Sequence, residues 1–326
     1  MRFIATLALL GALVVAGCGS GAAGGGGGKA DTITIAYQPG IGYAPLLIMK
    51  QNKWLEKDLP GRKIVYKRLD SGSAIRDGML SGDINVGAGG FGPFLVGWDK
   101  GIDWKILSPM EDMDLWLMAK NAKYKSLADY KDGGKIAMPA PDSIQAVVLR
   151  KGAQKELGDA RALDDNIVSL GHPDGLQALL SGQLAGHLTS PPFEFDEQDK
   201  GAHKVLSSYE LFGGPHTFNS VYMRQGFYSG NKDVADAIFK EIQRGIQLLR
   251  DNPDEAAQIL SAESEGQNSA AQFKGYITHE GVEYTNTPHG FVKLGEFMKQ
   301  IGLTSKAPGS VDEITFDQLH GMSGAN

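Results

Sequence analysis

One cysteine, Cys18, is all the chain contains, which excludes an internal disulfide framework and any multi-cysteine metal cluster. Positive charge is not in excess either. Lys and Arg total 32 against 38 Asp and Glu, a formal net charge of −6. Nucleic acid is therefore excluded as a partner, because binding it takes a basic face that displaces counterions. No apolar run reaches the roughly 20 residues of a membrane-spanning helix. The seven histidines show neither i, i+4 nor HExxH spacing, so no metal site is predicted. A GxSxG elbow and a Walker loop are both missing, and with them any obvious nucleophile or phosphate cradle. What is present is ordinary. The 326 residues are 42% hydrophobic and 21% charged, which suits about two domains of roughly 100–200 residues each.

The amino terminus reads as an address. Arg2 precedes the apolar run Phe3 to Val15, and residues 1–17 are predicted to be a secretory signal. The run closes on Val14-Val15-Ala16-Gly17-Cys18, which resembles a bacterial lipobox. Cys18 is thus the expected site of lipidation and an anchor to the outer face of the cytoplasmic membrane. Residues 18–30 are Gly-rich and form a flexible tether with a reach of roughly 20 Å.

The body carries one pattern twice. From Thr32, TITIAY, KIVYKRL, INVGAGG and WKILSPM read as strands, by β-branched content and alternation. Between them lie three predicted helices. One runs from Ala44 to Trp54, one follows Ser73 as N-cap, and one is opened by Pro93. From Lys135 the same β-α-β-α-β-α-β order returns in KIAM, NIVSL, AGHLTS and KVLSSYE. Asp142 or Ser143 caps the intervening helix that Gly158 closes. Leu80-Ser81-Gly82 and Leu180-Ser181-Gly182 fall at the same step. The expectation is an α/β protein of two lobes, each a mostly parallel sheet flanked by helices. Lobe one takes residues 31–118 plus 219–326, and lobe two takes 119–218. Segments 115–120 and 217–225 make the crossings. The stripe Val234, Ile238, Ile242, Ile246 and Leu249 marks a core-facing helix.

In parallel sheets ligands sit beyond the carboxyl ends of the strands, so a cleft between lobes is the predicted site. Lobe one offers Tyr37, Gln38, Pro39 and Gly40, then Asp70, Ser71, Gly72 and Ser73. Gly90, Phe91, Met110 and Glu111 complete its share. Lobe two offers Pro141, Asp142 and Ser143, the turn His172-Pro173-Asp174, and Ser190, Pro191 and Phe193. Several of these residues open helices, whose free N–H groups and dipole favour an anion. Asp70 and Asp142 repel a bare anion, and fit better as caps or as partners for a ligand amine. No Arg or Lys falls in these loops. Lys50, Arg68 and Arg76 reach the cleft only if folding brings them there. Gly87 to Gly92 has GxGxxG order, with Asp112 at the ribose-acid distance. It follows the third strand rather than the first, so a tight ligand-facing turn is the better reading.

The stretch YQ…KRLDSGSAIRDGMLSGDINVGAGG, with APDSIQAVVLRKG and SGQLAGHLTSPPFEF, resembles the substrate-binding proteins of nitrate/sulfonate/taurine ABC importers. The resemblance spans about residues 31–300. It implies a two-lobed periplasmic-binding-protein-like fold of type II, monomeric and without a cofactor. It also implies a binding role rather than an enzymatic one. Such a protein captures a small anionic or zwitterionic solute and hands it to an ABC permease and its ATPase. Where that family often has an acidic or aromatic residue in the second-lobe turn, this chain has Ser190-Pro191-Pro192. A pyrimidine or other small aromatic solute is the alternative cargo. A bilobed enzyme or a surface sensor is the alternative role.

Overall fold

The computed structural model describes residues 29–322. Cys18, the signal and most of the tether lie outside the described residues. The first repeat runs β1 (Thr32–Tyr37), α1 (Ala44–Gln51), α2 (Trp54–Asp58), β2 (Lys63–Arg68), α3 (Gly72–Ser81), β3 (Val86–Gly90), α4 (Phe91–Asp99) and β4 (Trp104–Pro109). Two short strands follow, β5 (Asp112–Met113) and β6 (Trp116–Ala119). The second repeat is β7 (Ile136–Met138), α5 (Ile144–Leu157), β8 (Ile167–Ser169), α6 (His172–Leu180), β9 (Gly186–Leu188), α7 (Phe193–Asp199) and β10 (His203–Ser207). After α8 (Ser208–Phe212), β11 (Asn219–Arg224) returns to the first lobe. There follow α9 (Gln225–Gly230), α10 (Lys232–Asp251), α11 (Pro253–Glu263), α12 (Ala270–Ile277), β12 (Val282–Glu283), α13 (Phe291–Gln300) and α14 (Val311–Ile314).

Two five-stranded sheets result, ordered β2-β1-β3-β11-β4 and β10-β6-β9-β7-β8. Each keeps three parallel strands. Each also admits one antiparallel crossing strand, β11 or β6, between the third and fourth strands of its own repeat. The sheets are therefore mixed at one side. β6 lies wholly in the second sheet, so the chain enters that sheet by Trp116, ahead of the expected boundary at 118.

Local chemistry accounts for the other departures. The helix expected over 44–54 breaks because Lys53 adopts a left-handed conformation, φ 53°. Ser71, not Ser73, caps α3, its Oγ accepting from Ala74 N at 3.2 Å. Pro93 is the third residue of α4 rather than its opener. It is tolerated there because the first four helical N–H groups have no intrahelical partner. KVLSSYE splits at Ser207, whose Oγ caps α8.

The glycines of β3 make room for neighbours. A Cβ on Gly87 would lie 2.5 Å from Tyr222 Cε2, and glycine in a strand commonly marks such close approach. Tyr222, Phe94 and Trp104 pack together beside it, with ring centroids 5.1–5.4 Å apart. The expected stripe on α10 is buried throughout. It seats α10 on α1, where Gly245 meets the backbone of Pro45. Among the described residues, no helix is long and apolar enough to cross a membrane.

Candidate functional site

Four helices begin at one place between the lobes. Gly72 starts α3 and Gly90 precedes α4 on the first lobe. Ser143 caps α5 and His172 starts α6 on the second. These residues line a common cavity with Gln38, Pro39, Tyr43, Pro93, Ile144, Gln145, Phe218 and Asn219. The cavity measures about 20 Å³, close to the space that one water needs. The lobes thus meet almost without a gap.

Small residues permit this approach. A Cβ on Gly92 would lie 2.6 Å from Asp142 O and 3.1 Å from Ile144 N. Gly171 faces Asp70, and Gly40 faces Pro191, Ser190 and Phe193. Polar contacts bridge the lobes both at the cleft and away from it, where Tyr276 OH donates to Asp196 Oδ1 at 2.5 Å and Arg161 Nη2 donates to Ile301 O at 3.1 Å. At the cleft, Arg76 Nη1 donates to Asp142 Oδ2 at 2.5 Å, and Ser73 Oγ donates to Asp142 Oδ1 at 3.2 Å. Arg76 therefore does reach the cleft, where it meets a carboxylate. Arg150 Nη1 donates to Pro141 O at 2.8 Å and fixes the loop that presents Asp142.

Behind the cavity the polar groups are ordered in chains. Gln38 Nε2 donates to Tyr43 OH at 2.7 Å, and Tyr43 OH donates to Asn219 Oδ1 at 3.0 Å. Asn219 N donates to Glu111 Oε1 at 2.9 Å. Glu111 Oε2 and Asn219 Nδ2 have no partner. Burial, with Asp112 adjacent, holds the Glu111 carboxyl well above the usual carboxylate range, because desolvation and a like charge both disfavour the ionised form. On the second lobe, Gln145 Nε2 lies 3.2 Å from His172 Nε2, and His172 Nδ1 lies 3.1 Å from His187 Nε2. His187 Nδ1 lies 2.6 Å from Glu197 Oε1.

The crossings are clamped by Asp114. It accepts from Ser207 Oγ at 2.7 Å, Trp116 Nε1 at 2.7 Å and Tyr209 N at 2.9 Å. Trp116 sits edge-on to Phe195 of lobe two and to His279 of lobe one.

Of the residues predicted from sequence, Gln38, Pro39, Gly72, Gly90, Ser143 and His172 line the cavity. Gly40, Asp70, Ser73, Asp142, Ser190, Pro191 and Phe193 stand at the lobe contact around it. Phe193 also stacks on His172 with centroids 5.5 Å apart. Ser71 and Pro141 act one step back, as a helix cap and a backbone acceptor. Glu111 lies behind Asn219. Tyr37 accepts from Lys50 Nζ at 3.3 Å and packs on Tyr43.

Two of the expected residues are displaced into the core. Phe91 stacks on Phe291 at 4.6 Å, and Met110 is fully buried in the first lobe. The helical and extended geometry at those strand ends turns their side chains inward. Tyr43, Pro93, Ile144, Gln145, Phe218 and Asn219 were not anticipated. Only Ile144 and Gln145 had a signal, since they directly follow the capping Ser143. The GAGGFG glycines serve packing, two of them against Asp142 O and Ile144. Among the described residues, no group of three His, Cys, Asp or Glu is placed to hold a metal ion.

Two lobes, mixed sheets and a cleft at facing helix starts define a protein of the periplasmic-binding-protein fold. The chain belongs to the NMT1-like family, whose model matches residues 26–262. An Escherichia coli protein named as a candidate aliphatic sulfonates-binding protein is 30% identical over 154 residues. That match spans 46% of this chain and 46% of the relative, less than half the length of either.

Solved structures with the same fold include the alkanesulfonate-binding protein SsuA from Xanthomonas axonopodis pv. citri bound to MOPS. It has a TM-score of 0.70 and 16% identity over 91% of this chain and 99% of that one. The periplasmic nitrate-binding protein NrtA from Synechocystis has a TM-score of 0.66 and 15% identity over 89% and 87%. At these identities the likeness establishes the fold.

Proposed function

We propose that the chain is an extracytoplasmic solute-binding lipoprotein of an ABC importer, anchored through Cys18. It captures a small anionic or zwitterionic solute of the organosulfonate, taurine or nitrate class and delivers it to a membrane permease. It works as a monomer and turns nothing over. ATP is hydrolysed by the permease's own ATPase.

The observation that carries this reading is the meeting of four helix starts at one cavity. Their N–H groups and dipoles suit an oxyanion without a cationic side chain. Membership of the NMT1-like family and the named ligands of the relatives support the same class. A sulfonate head is larger than one water, so entry requires the lobes to part about the crossings, a hinge motion. Closure then brings Arg76 and Asp142 together over the ligand. A small aromatic solute is the second reading, favoured by the stacked His172 and Phe193 rings.

A thermal-shift screen against ethanesulfonate, taurine, nitrate and cytosine tests the choice. A true ligand at a hundredfold excess over its Kd adds roughly 2.7 kcal/mol. Stabilisation by cytosine alone would replace the anion with the aromatic solute. Chemical conversion of a bound compound would replace binding with catalysis.

A further inference from the structure

A line of buried polar side chains runs from the cleft into lobe two. Gln145 lines the cavity, His172 and His187 follow, and Glu197 ends the line. Glu197 and His187 are wholly buried. The line depends on a close approach. A Cβ on Gly175 of α6 would lie 2.5 Å from His187 Nε2. Thr189 Oγ1, 3.1 Å from His172 Nδ1, can donate or accept with either tautomer.

Hydrogen bonds in such a line share one direction. A neutral imidazole donates from one nitrogen and accepts at the other. Donors therefore point outward from a protonated Glu197, or inward to an ionised one. Inward, a carboxylate stands in the core with Oε2 unpartnered. Asp196 on the same helix opposes that charge, and only Lys200 favours it. Glu194, a turn away, adds to the repulsion, and Lys204 of β10 is directed to Glu194 and the Trp116 ring. From α6 and β9 the facing groups are His172 and His187 themselves.

We propose that the line runs outward and makes Gln145 a specificity-determining contact for an anionic ligand, with Glu197, His187 and His172 as its positioning residues. Glu197 donates to His187 Nδ1, His187 Nε2–H to His172 Nδ1, and His172 Nε2–H to the Gln145 amide oxygen. The two ends of a carboxamide have nearly the same shape, and a half-turn exchanges them. The NH2 group then faces the cleft and offers a proton to a ligand oxygen. The direction of the core hydrogen bonds thus fixes which solutes the cleft accepts. This inference rests on the anion reading of the cleft. Burial is consistent with it, since it pushes Glu197 up to about 9, His187 down to about 3, and His172 well below its usual value.

Two measurements test it. Nitrogen NMR of the histidine-labelled whole chain at about pH 7, near the ordinary imidazole range, needs no ligand. Both His172 and His187 are expected to carry the proton on Nε2, and a proton on Nδ1 of either overturns the proposal. The second is calorimetry with ethanesulfonate and nitrate across the Glu197 transition. As Glu197 ionises, the line reverses, the Gln145 carbonyl turns to the cleft, and affinity falls about tenfold. Glu197→Gln has no proton to lose there, and its affinity stays level over the same range. An equal fall in both proteins, or none in the wild type, overturns the proposal. A chain that binds neither probe refutes the anion reading, while the tautomers still decide the direction of the line.

Discussion

Replacing Arg76 by alanine tests whether the lobe contact is an energetic clasp. Arg76 Nη1 and Asp142 Oδ2 are 2.5 Å apart, and the two side chains are 15% and 21% exposed. A hydrogen bond to a charged group contributes about 1.5–3 kcal/mol. Partial exposure moves this pair towards the lower part of that range, and about 2 kcal/mol is a fair value. At about 1.4 kcal/mol per decade, its loss shifts the closed-to-open ratio about 30-fold. The variant also leaves Asp142 facing the ligand without a counter-charge, so ethanesulfonate affinity falls by at least the same factor.

Scattering should give a larger radius for Arg76→Ala than for the wild type. Trp116, held between Phe195 and His279, should change its emission. Melting should move little, because the pair lies between lobes and not in a core. A double-mutant cycle with Asp142→Ala isolates the pair term. A coupling near zero, with an unchanged radius, would refute the clasp.

Three further outcomes are expected. Gly92→Ala places a methyl against Asp142 O and should weaken ethanesulfonate binding about tenfold or more with no loss of melting temperature, since packed interfaces do not absorb a methyl freely; unchanged calorimetry would show that the lobes need not meet there. Ser71→Ala should cost about 1 kcal/mol in urea unfolding by removing the α3 cap, whereas Ser73→Ala leaves the cap in place, so equal losses would contradict the assignment. Cys18→Ala should abolish labelling by fatty acid and release a soluble or unprocessed chain, and equal labelling of both proteins would dismiss the anchor.

The repeat of strands and helices was legible because local chemistry writes it. TITIAY and INVGAGG are apolar enough to be inner strands, WKILSPM is as apolar although β4 closes one edge of its sheet, and Ser143 and Gly158 bracket α5 as caps should. The errors arose where a long-range partner decides. Nothing near Phe91 indicates that Phe291 takes its ring, and nothing near Lys53 announces a left-handed turn. Ser71 and Ser73 both suit an N-cap, and the backbone chose between them. The parallel repeat was readable, but the insertion of β6 and β11 depends on pairings between strands far apart in the chain, as Leu117 with Leu188 and Val221 with Ala88. Gln38, Gly72 and Ser143 were found because cleft loops follow strand ends. His172, His187 and Glu197 are 15 and 10 residues apart, so their alignment exists only after α6, β9 and α7 have packed.

The crossing strands also set an order of assembly. All five strands of the second sheet come from one unbroken stretch, Trp116 to Ser207. The first sheet needs β11 between β3 and β4, and β11 follows the whole second lobe in the chain. Until it is made, β3 and β4 each have an open edge, and such edges invite pairing with other chains. The earlier half of the protein is therefore the later one to finish. Its closure draws on contacts of long sequence separation, which slow folding.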